Sequence, residues 1–174
     1  MSMNKITSSD GDAGWLYHVK RWIPSVFLLP VMIWFVMNRG TYTWIDNADL
    51  VIHEAGHFFF RVFGQFIYTL GGTLMQILLP SLITWHFWRN NYRTGTQIGL
   101  LWLGQNIINI SVYAADARAQ ALPLLGGDNV YHDWAYILGA LNLIQYDAEV
   151  GYIFFGSAIL IFAVTVLLPL IFQE

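Results

Sequence analysis

A chain of 174 residues that is 56% hydrophobic and 11% charged, with 8 Trp, 9 Tyr and 12 Phe, is too apolar for a soluble domain of its size and falls in the membrane class. It holds no cysteine, which excludes disulfides, iron–sulfur clusters and thiolate metal sites and leaves His, Asp and Glu as metal ligands. A net charge of −3, with no basic run beyond Lys20-Arg21, speaks against a nucleic-acid partner.

Residues 1–14 are polar and rich in Ser, Asp and Gly, so the chain divides into a short mobile tail and a single transmembrane domain over 15–174. Trp22 to Met37, bracketed by Lys20, Arg21 and Arg39, is the expected first span, its Pro24 and Pro30 tolerable where neighbouring helices satisfy the freed carbonyls. A cleavable signal peptide is the alternative, disfavoured because Asn38 to Thr43 lacks a small-residue cleavage pattern. After a polar break, the apolar run from Leu50 to about Leu70 reads as the second span, with Asn47 or Asp49 placed to cap it. Gly71-Gly72 punctuates. Thr73 to Trp88 then makes a third span, kinked at Pro80 and ending in an interfacial cluster of Trp85, Trp88, Arg89 and Arg93. Thr96 to Ala115 is a fourth span loaded with Gln105, Asn106, Asn109 and Ser111. A connector runs from Asp116 to Asp133. Trp134 to Ile144 is too short to cross and reads as re-entrant or interfacial, and Gly151 to Phe172 is the last span. The expected fold is all-α, a polytopic membrane bundle of five spans plus one short helix. Lys5, Lys20 and Arg21 lean toward a cytoplasmic N-terminus, and the basic residues decide orientation no further.

The second run carries His53-Glu54-Ala55-Gly56-His57. On a helix the two histidines stand one turn apart on one face, so both imidazoles can reach one metal while Glu54, about 100° round, points at the water such a metal activates. The pattern should arise by chance roughly once in several hundred chains of this composition. Leu50-Val51-Ile52 before it and Phe58-Phe59-Phe60 after it put three ionisable groups at membrane depth, where they are costly unless paired, metal-bound or solvated by a cavity. The competing readings are a structural hydrogen-bond network and a pair of haem or non-hydrolytic metal ligands.

A catalytic zinc takes three protein ligands, so one more is required. His132 ranks first because imidazole suits zinc, with Asp116 and Asp133 as alternatives; Asp133 could otherwise cap the short helix or orient a ligand. His18, Asp46 and His86 are further candidates. Gln105, Asn109 and Asp116 share one face of the fourth span, a polar stripe expected to steady the site or bind substrate backbone, unless it serves only to join helices. Arg118 either pairs with Asp116 or reaches lipid phosphate, and Gln76 on the third span is ambiguous between joining helices and serving the site.

With this pentapeptide in an apolar helix, Gly71-Gly72 after it and a late acidic residue, the chain resembles the site-2 protease family of intramembrane zinc metallopeptidases. The resemblance implies that His53 and His57 hold zinc and that Glu54 is the base. It also implies an aspartate on a later span as the last ligand, within a Leu-Asp-Gly motif. No Leu-Asp-Gly occurs here; the nearest analogue in order is Leu-Leu-Gly-Gly at 124–127, followed by His132-Asp133-Trp134. The implied activity is zinc-assisted hydrolysis of peptide bonds in membrane-embedded substrates, with Asn109 or Arg118 as substrate-positioning donors. Expected partners are membrane lipids and a transmembrane protein or peptide substrate, with a membrane-protein partner or second copy left open. The expected location is multi-pass in a bacterial inner membrane. The alternatives are a zinc-dependent lipid amide or ester hydrolase, a metal- or haem-binding subunit, and a scaffold with a degenerate site.

Overall fold

The computed structural model describes residues 19–123 and 131–172, and among these there is no strand. The helices lying wholly within them are α1 (Ile23–Met37), α2 (Asp46–Phe60), α3 (Gln65–Arg89), α4 (Arg93–Ala115), α5 (Asp133–Ala140) and α6 (Asp147–Ile171). The all-helical class is therefore as expected, while the polar tail at 1–14 lies outside the described residues.

Among the described residues, three helical stretches are long and apolar enough to cross a membrane: α3, α4, and α6 with the 3-10 turn that leads into it. The two other expected spans do not meet that length as single helices. The helix α1 is apolar but has only 15 residues, roughly 22 Å at about 1.5 Å per residue, against a hydrocarbon core of about 30 Å. The helix α2 is equally short and opens on Asp46 and Asp49 in its first turn.

The second expected span fails at Gly64, where the chain takes φ +87° after a 3-10 turn at Arg61–Phe63, a conformation suited to glycine. The motif helix ends there and α3 begins at Gln65, so Gly71 and Gly72 lie inside α3 rather than between helices. Their purpose is contact. A Cβ at Gly56 would strike the Gly71 carbonyl, one at Gly71 would stand 2.8 Å from the Gly56 oxygen, and one at Gly72 would meet the His53 ring. The hairpin of α2 and α3 thus packs backbone to backbone at the level of the motif.

The bundle is polar inside and apolar outside. Thr96, Gln97, Gln105, Asn106 and Ser111 of α4 are buried, while Phe27, Val51, Leu160 and many other large apolar side chains are exposed. That inversion suits a lipid-facing surface, where apolar side chains need no cover and polar groups must find partners. Ser25 and Gln97 show how the helices are tied: Gln97 Nε2 donates to Ser25 Oγ and to the Thr165 carbonyl, both at 2.8 Å, and Ser25 Oγ donates to the Val166 carbonyl at 2.9 Å. Met32, Ile107, Ile108, Ala158 and Phe162 form an apolar core joining α1, α4 and α6. A second core, including Ile110, Ala114, Trp134, Ile137 and Leu138, docks α5 against α4.

The packing generates a prediction of opposite sign for two glycines. Gly56→Ala must push α2 and α3 apart and should destabilise the detergent-solubilised protein by about 1–3 kcal/mol. Gly156→Ala meets nothing within 4 Å and should be neutral or stabilising by up to about 1 kcal/mol. Thermal unfolding followed by helical circular dichroism reads both; a Gly56→Ala protein as stable as the parent would refute the close approach.

Candidate metal centre

The face of α2 that turns inward carries Asp46, Asp49, His53 and Gly56 as its buried residues, spaced as one helical stripe. His57 continues that stripe and is partly buried, while Glu54 is exposed toward a cavity of about 860 Å³. The cavity is lined by His53, Glu54, His57, Asp133, Asn109 and Tyr113 among others.

His53 Nε2 stands 2.8 Å and His57 Nε2 3.2 Å from one oxygen, Asp133 Oδ2. The three ligand atoms all lie within 4.8 Å of one another. Each imidazole is held from behind: His53 Nδ1 is 2.9 Å from Gln76 Oε1, and His57 Nδ1 is 2.9 Å from the Tyr68 carbonyl. Both partners are oxygens that can only accept, so both Nδ1 atoms carry the hydrogen and donate it. A neutral imidazole arranged in that way presents a lone pair at Nε2.

Two nitrogen lone pairs and a carboxylate oxygen therefore converge on one place, an arrangement that repels itself unless a cation lies between them. Protons on the Nε2 atoms would serve, and so would one divalent metal. The donor set of two imidazoles and a carboxylate, each imidazole braced by an acceptor at its other nitrogen, is the chemistry zinc takes. Donor atoms on a zinc tetrahedron stand about 3.3 Å apart, close to the 2.8 and 3.2 Å found here. Asp133 is partly buried, and burial alone would push its carboxyl up. The two imidazoles beside it, wherever they carry protons at Nε2, outweigh that and hold it below the ordinary carboxylate value.

The structure brings Asp133, and not the neighbouring His132, to the two histidines. His132 is the N-cap of α5; its Nδ1 accepts from the Ala135 amide at 3.2 Å. Its Nε2 stands 3.3 Å from Asp116 Oδ2 without the alignment of a hydrogen bond. Burial holds this imidazole below its usual pKa, so it caps as a neutral acceptor. Its ring packs on Tyr113, with centroids 4.3 Å apart, and is not among the residues that line the cavity. The next residue then begins a helix, and its side chain, Asp133, points back to α2. The Tyr113 hydroxyl accepts the Asp133 amide at 3.1 Å and fixes that turn.

Asp116 is committed to the connector, accepting the Ala121 and Leu122 amides at 3.0 Å each. Asp46 accepts from Gln105 Nε2 at 2.9 Å, from Asn109 Nδ2 at 2.6 Å and from Thr43. His86 is exposed near the C-terminal end of α3, and His18 lies outside the described residues. Arg118 pairs with Asp147, its Nη2 2.7 Å from Oδ1, rather than with Asp116, and it does not line the cavity. Of the expected positioning residues, Asn109 lines the cavity with its amide donated to Asp46 and Asp49, and Gln105 is buried behind it.

Sequence reasoning treated Asp49 only as a helix cap and left Gln76 undecided. Both belong to the network around His53. The signal for Asp49 was present, since 46, 49, 53 and 57 fall on one helical face; Gln76 and the Tyr68 carbonyl become partners only through the hairpin. No protein-family model matches the chain, and no curated protein or solved structure matches it either.

Proposed function

We propose that the chain is an intramembrane zinc metallopeptidase in which His53, His57 and Asp133 hold the metal and Glu54 is the general base. The observation that carries this reading is the convergence of both Nε2 atoms on Asp133 Oδ2, with Glu54 opening on the same cavity. A structural hydrogen-bond network would have no use for an exposed carboxylate placed one residue from the first histidine. Nor would a purely structural or electron-transfer metal.

Zinc bound here would supply Lewis-acid polarisation of a substrate carbonyl and a lowered pKa for the attacking water. Glu54, which opens on the same cavity, would take a proton from the attacking water and pass it to the leaving amine. Gln76 and the Tyr68 carbonyl keep the two imidazoles in place while this happens. A cavity of about 860 Å³ admits an unwound stretch of peptide chain but not a full helix with its side chains, whose diameter is about 10–12 Å. The substrate segment must therefore unwind before cleavage. The likeness to site-2 proteases, carried by residues 53–57, points to the same reaction, and the third ligand departs from that family in arising on a short helix rather than a span.

Two outcomes test the proposal. Elemental analysis of detergent-purified protein should find about one zinc per chain in wild type, Glu54→Gln, His132→Ala and Asp116→Ala, and little in His57→Ala and Asp133→Ala. His132→Ala loses a helix cap, so its unfolding midpoint should drop by the equivalent of about 0.5–2 kcal/mol without loss of zinc. For activity, wild type co-reconstituted in liposomes with single-span reporter peptides should release fragments detectable by mass spectrometry. Glu54→Gln should be slower by about 10²–10⁴-fold while keeping its zinc. A zinc-loaded protein that cleaves lipid amides or esters but no peptide would move the assignment to lipid hydrolysis. A wild type without zinc would remove the hydrolase reading altogether.

A further inference from the structure

Asp49 is 1% exposed and lies one turn before His53 on α2, yet its path to that histidine runs through two other helices. Both of its oxygens meet N–H donors: Trp102 Nε1 at 2.9 Å and Asn106 Nδ2 at 3.0 Å on Oδ1, and Asn109 Nδ2 at 3.2 Å on Oδ2. Asn106 Nδ2 also donates to the Trp102 carbonyl at 3.1 Å, and these two groups that only accept, the Asp49 carboxylate and that carbonyl, together force Asn106 to present its NH2 on that side. Its Oδ1 must then face the other way, where it accepts from Gln76 Nε2 at 3.3 Å. Gln76 in turn must present Oε1 to His53 Nδ1 at 2.9 Å.

Side-chain amides can be turned end for end, and a turn at either link would set N–H against N–H or lone pair against lone pair at the next. Asn106 is fully buried and Gln76 and His53 nearly so, which makes such a mismatch costly. The contrast with His57 is informative. Its Nδ1 faces a backbone carbonyl, which cannot turn over and needs nothing behind it. Only the histidine whose acceptor is a reversible amide is backed by a chain ending in a carboxylate.

We propose that Asp49 is a positioning residue for His53, acting through Asn106 and Gln76 to fix the imidazole hydrogen on Nδ1 and leave the Nε2 lone pair for the metal. The inference rests on the metal reading of the site above and adds a residue that touches neither metal nor substrate. Its role is directional. The carboxylate, together with the Trp102 carbonyl, sets the sense of the two amides, and the second amide sets the tautomer of the ligand.

The test is a cobalt(II) titration of the full-length, detergent-purified protein, read by the visible d–d absorption of the bound ion. Asp49→Leu should weaken cobalt binding by roughly 10- to 100-fold, because Asn106 then keeps only the Trp102 carbonyl to hold its sense and Gln76 turns over more readily. Adding Gln76→Glu to Asp49→Leu should recover most of that loss. A carboxylate at position 76 accepts from His53 Nδ1 whichever way it is turned, and without Asp49 the Asn106 amide has only the Trp102 carbonyl to give up in turning to donate to it. A residue that merely supports the fold would not be rescued in this way. If Asp49→Leu does not yield folded protein, Asn106→Leu cuts the same chain one link nearer and enters the same comparison. Asp49→Leu that binds as tightly as wild type, or a loss that Gln76→Glu does not repair, overturns the relay. In either case cobalt binding by wild type, lost in His57→Ala, leaves the metal reading standing. Failure of wild type to bind cobalt removes that reading and the relay together.

Discussion

Lone pairs aimed at one another inside an apolar bundle need a reason to stay there, and much of this structure supplies it. His53, His57 and Asp133 converge only because each is held by a partner that will not let it turn away: Gln76, the Tyr68 carbonyl, and the Tyr113 hydroxyl on the Asp133 amide. In hydrocarbon, an unpaired buried polar group costs on the order of several kcal/mol, so each partner must itself be satisfied. The demand propagates outward until it reaches groups that are saturated. Asp46 and Asp49, which gather the amides of Gln105, Asn106 and Asn109, are where it stops. Deleting one of these carboxylates leaves donors orphaned at about 1–3 kcal/mol each before any relaxation.

Helix packing without a hydrophobic drive must come from close fit and polar contact, and the chain uses both at the same level. Gly56 against Gly71 brings α2 and α3 near enough for the Gln76 amide and the Tyr68 carbonyl of α3 to reach the histidines of α2. A larger residue at either glycine would open the hairpin and leave both Nδ1 atoms without acceptors. The stripe of amides on α4 closes the third side. Packing and site geometry are therefore one problem here, since the contact that joins the helices is also the contact that orients the ligands.

How far the sequence foretold this depends on the range of the interactions concerned. The helical class and the grouping of His53, Glu54 and His57 follow from composition and from spacing along one helix, both local quantities. Span count did not follow, because hydropathy averages over Gly64, and only the backbone conformation there reveals that the run from Leu50 to Leu70 is two helices. Gly71-Gly72 was misread for a related reason: a glycine that breaks a helix and one that lets two helices touch are identical in one dimension. The preference for His132 over Asp133 rested on ligand chemistry, and imidazole does suit zinc. What decided the matter was a cap. Once His132 takes the N-cap position with its ring on Tyr113, the geometry of a helix start turns the next side chain the other way.

That cap has a further consequence for how the centre is assembled. Asp133 comes from an eight-residue helix that does not cross the membrane, so a metal could in principle have to recruit it from a mobile connector, at the expense of the ordering entropy. The surroundings of α5 argue otherwise. Trp134, Ile137 and Leu138 are buried in a core with Ile110 and Ala114 of α4, the His132 ring lies on Tyr113, and the Asp133 amide is bound to the Tyr113 hydroxyl. The carboxylate is thus placed by apolar packing and a backbone hydrogen bond that owe nothing to a metal. On the proposed metal reading, a carboxylate placed in this way lets binding free energy go into affinity rather than into folding the connector, which is the condition under which small changes behind His53 become visible in metal binding.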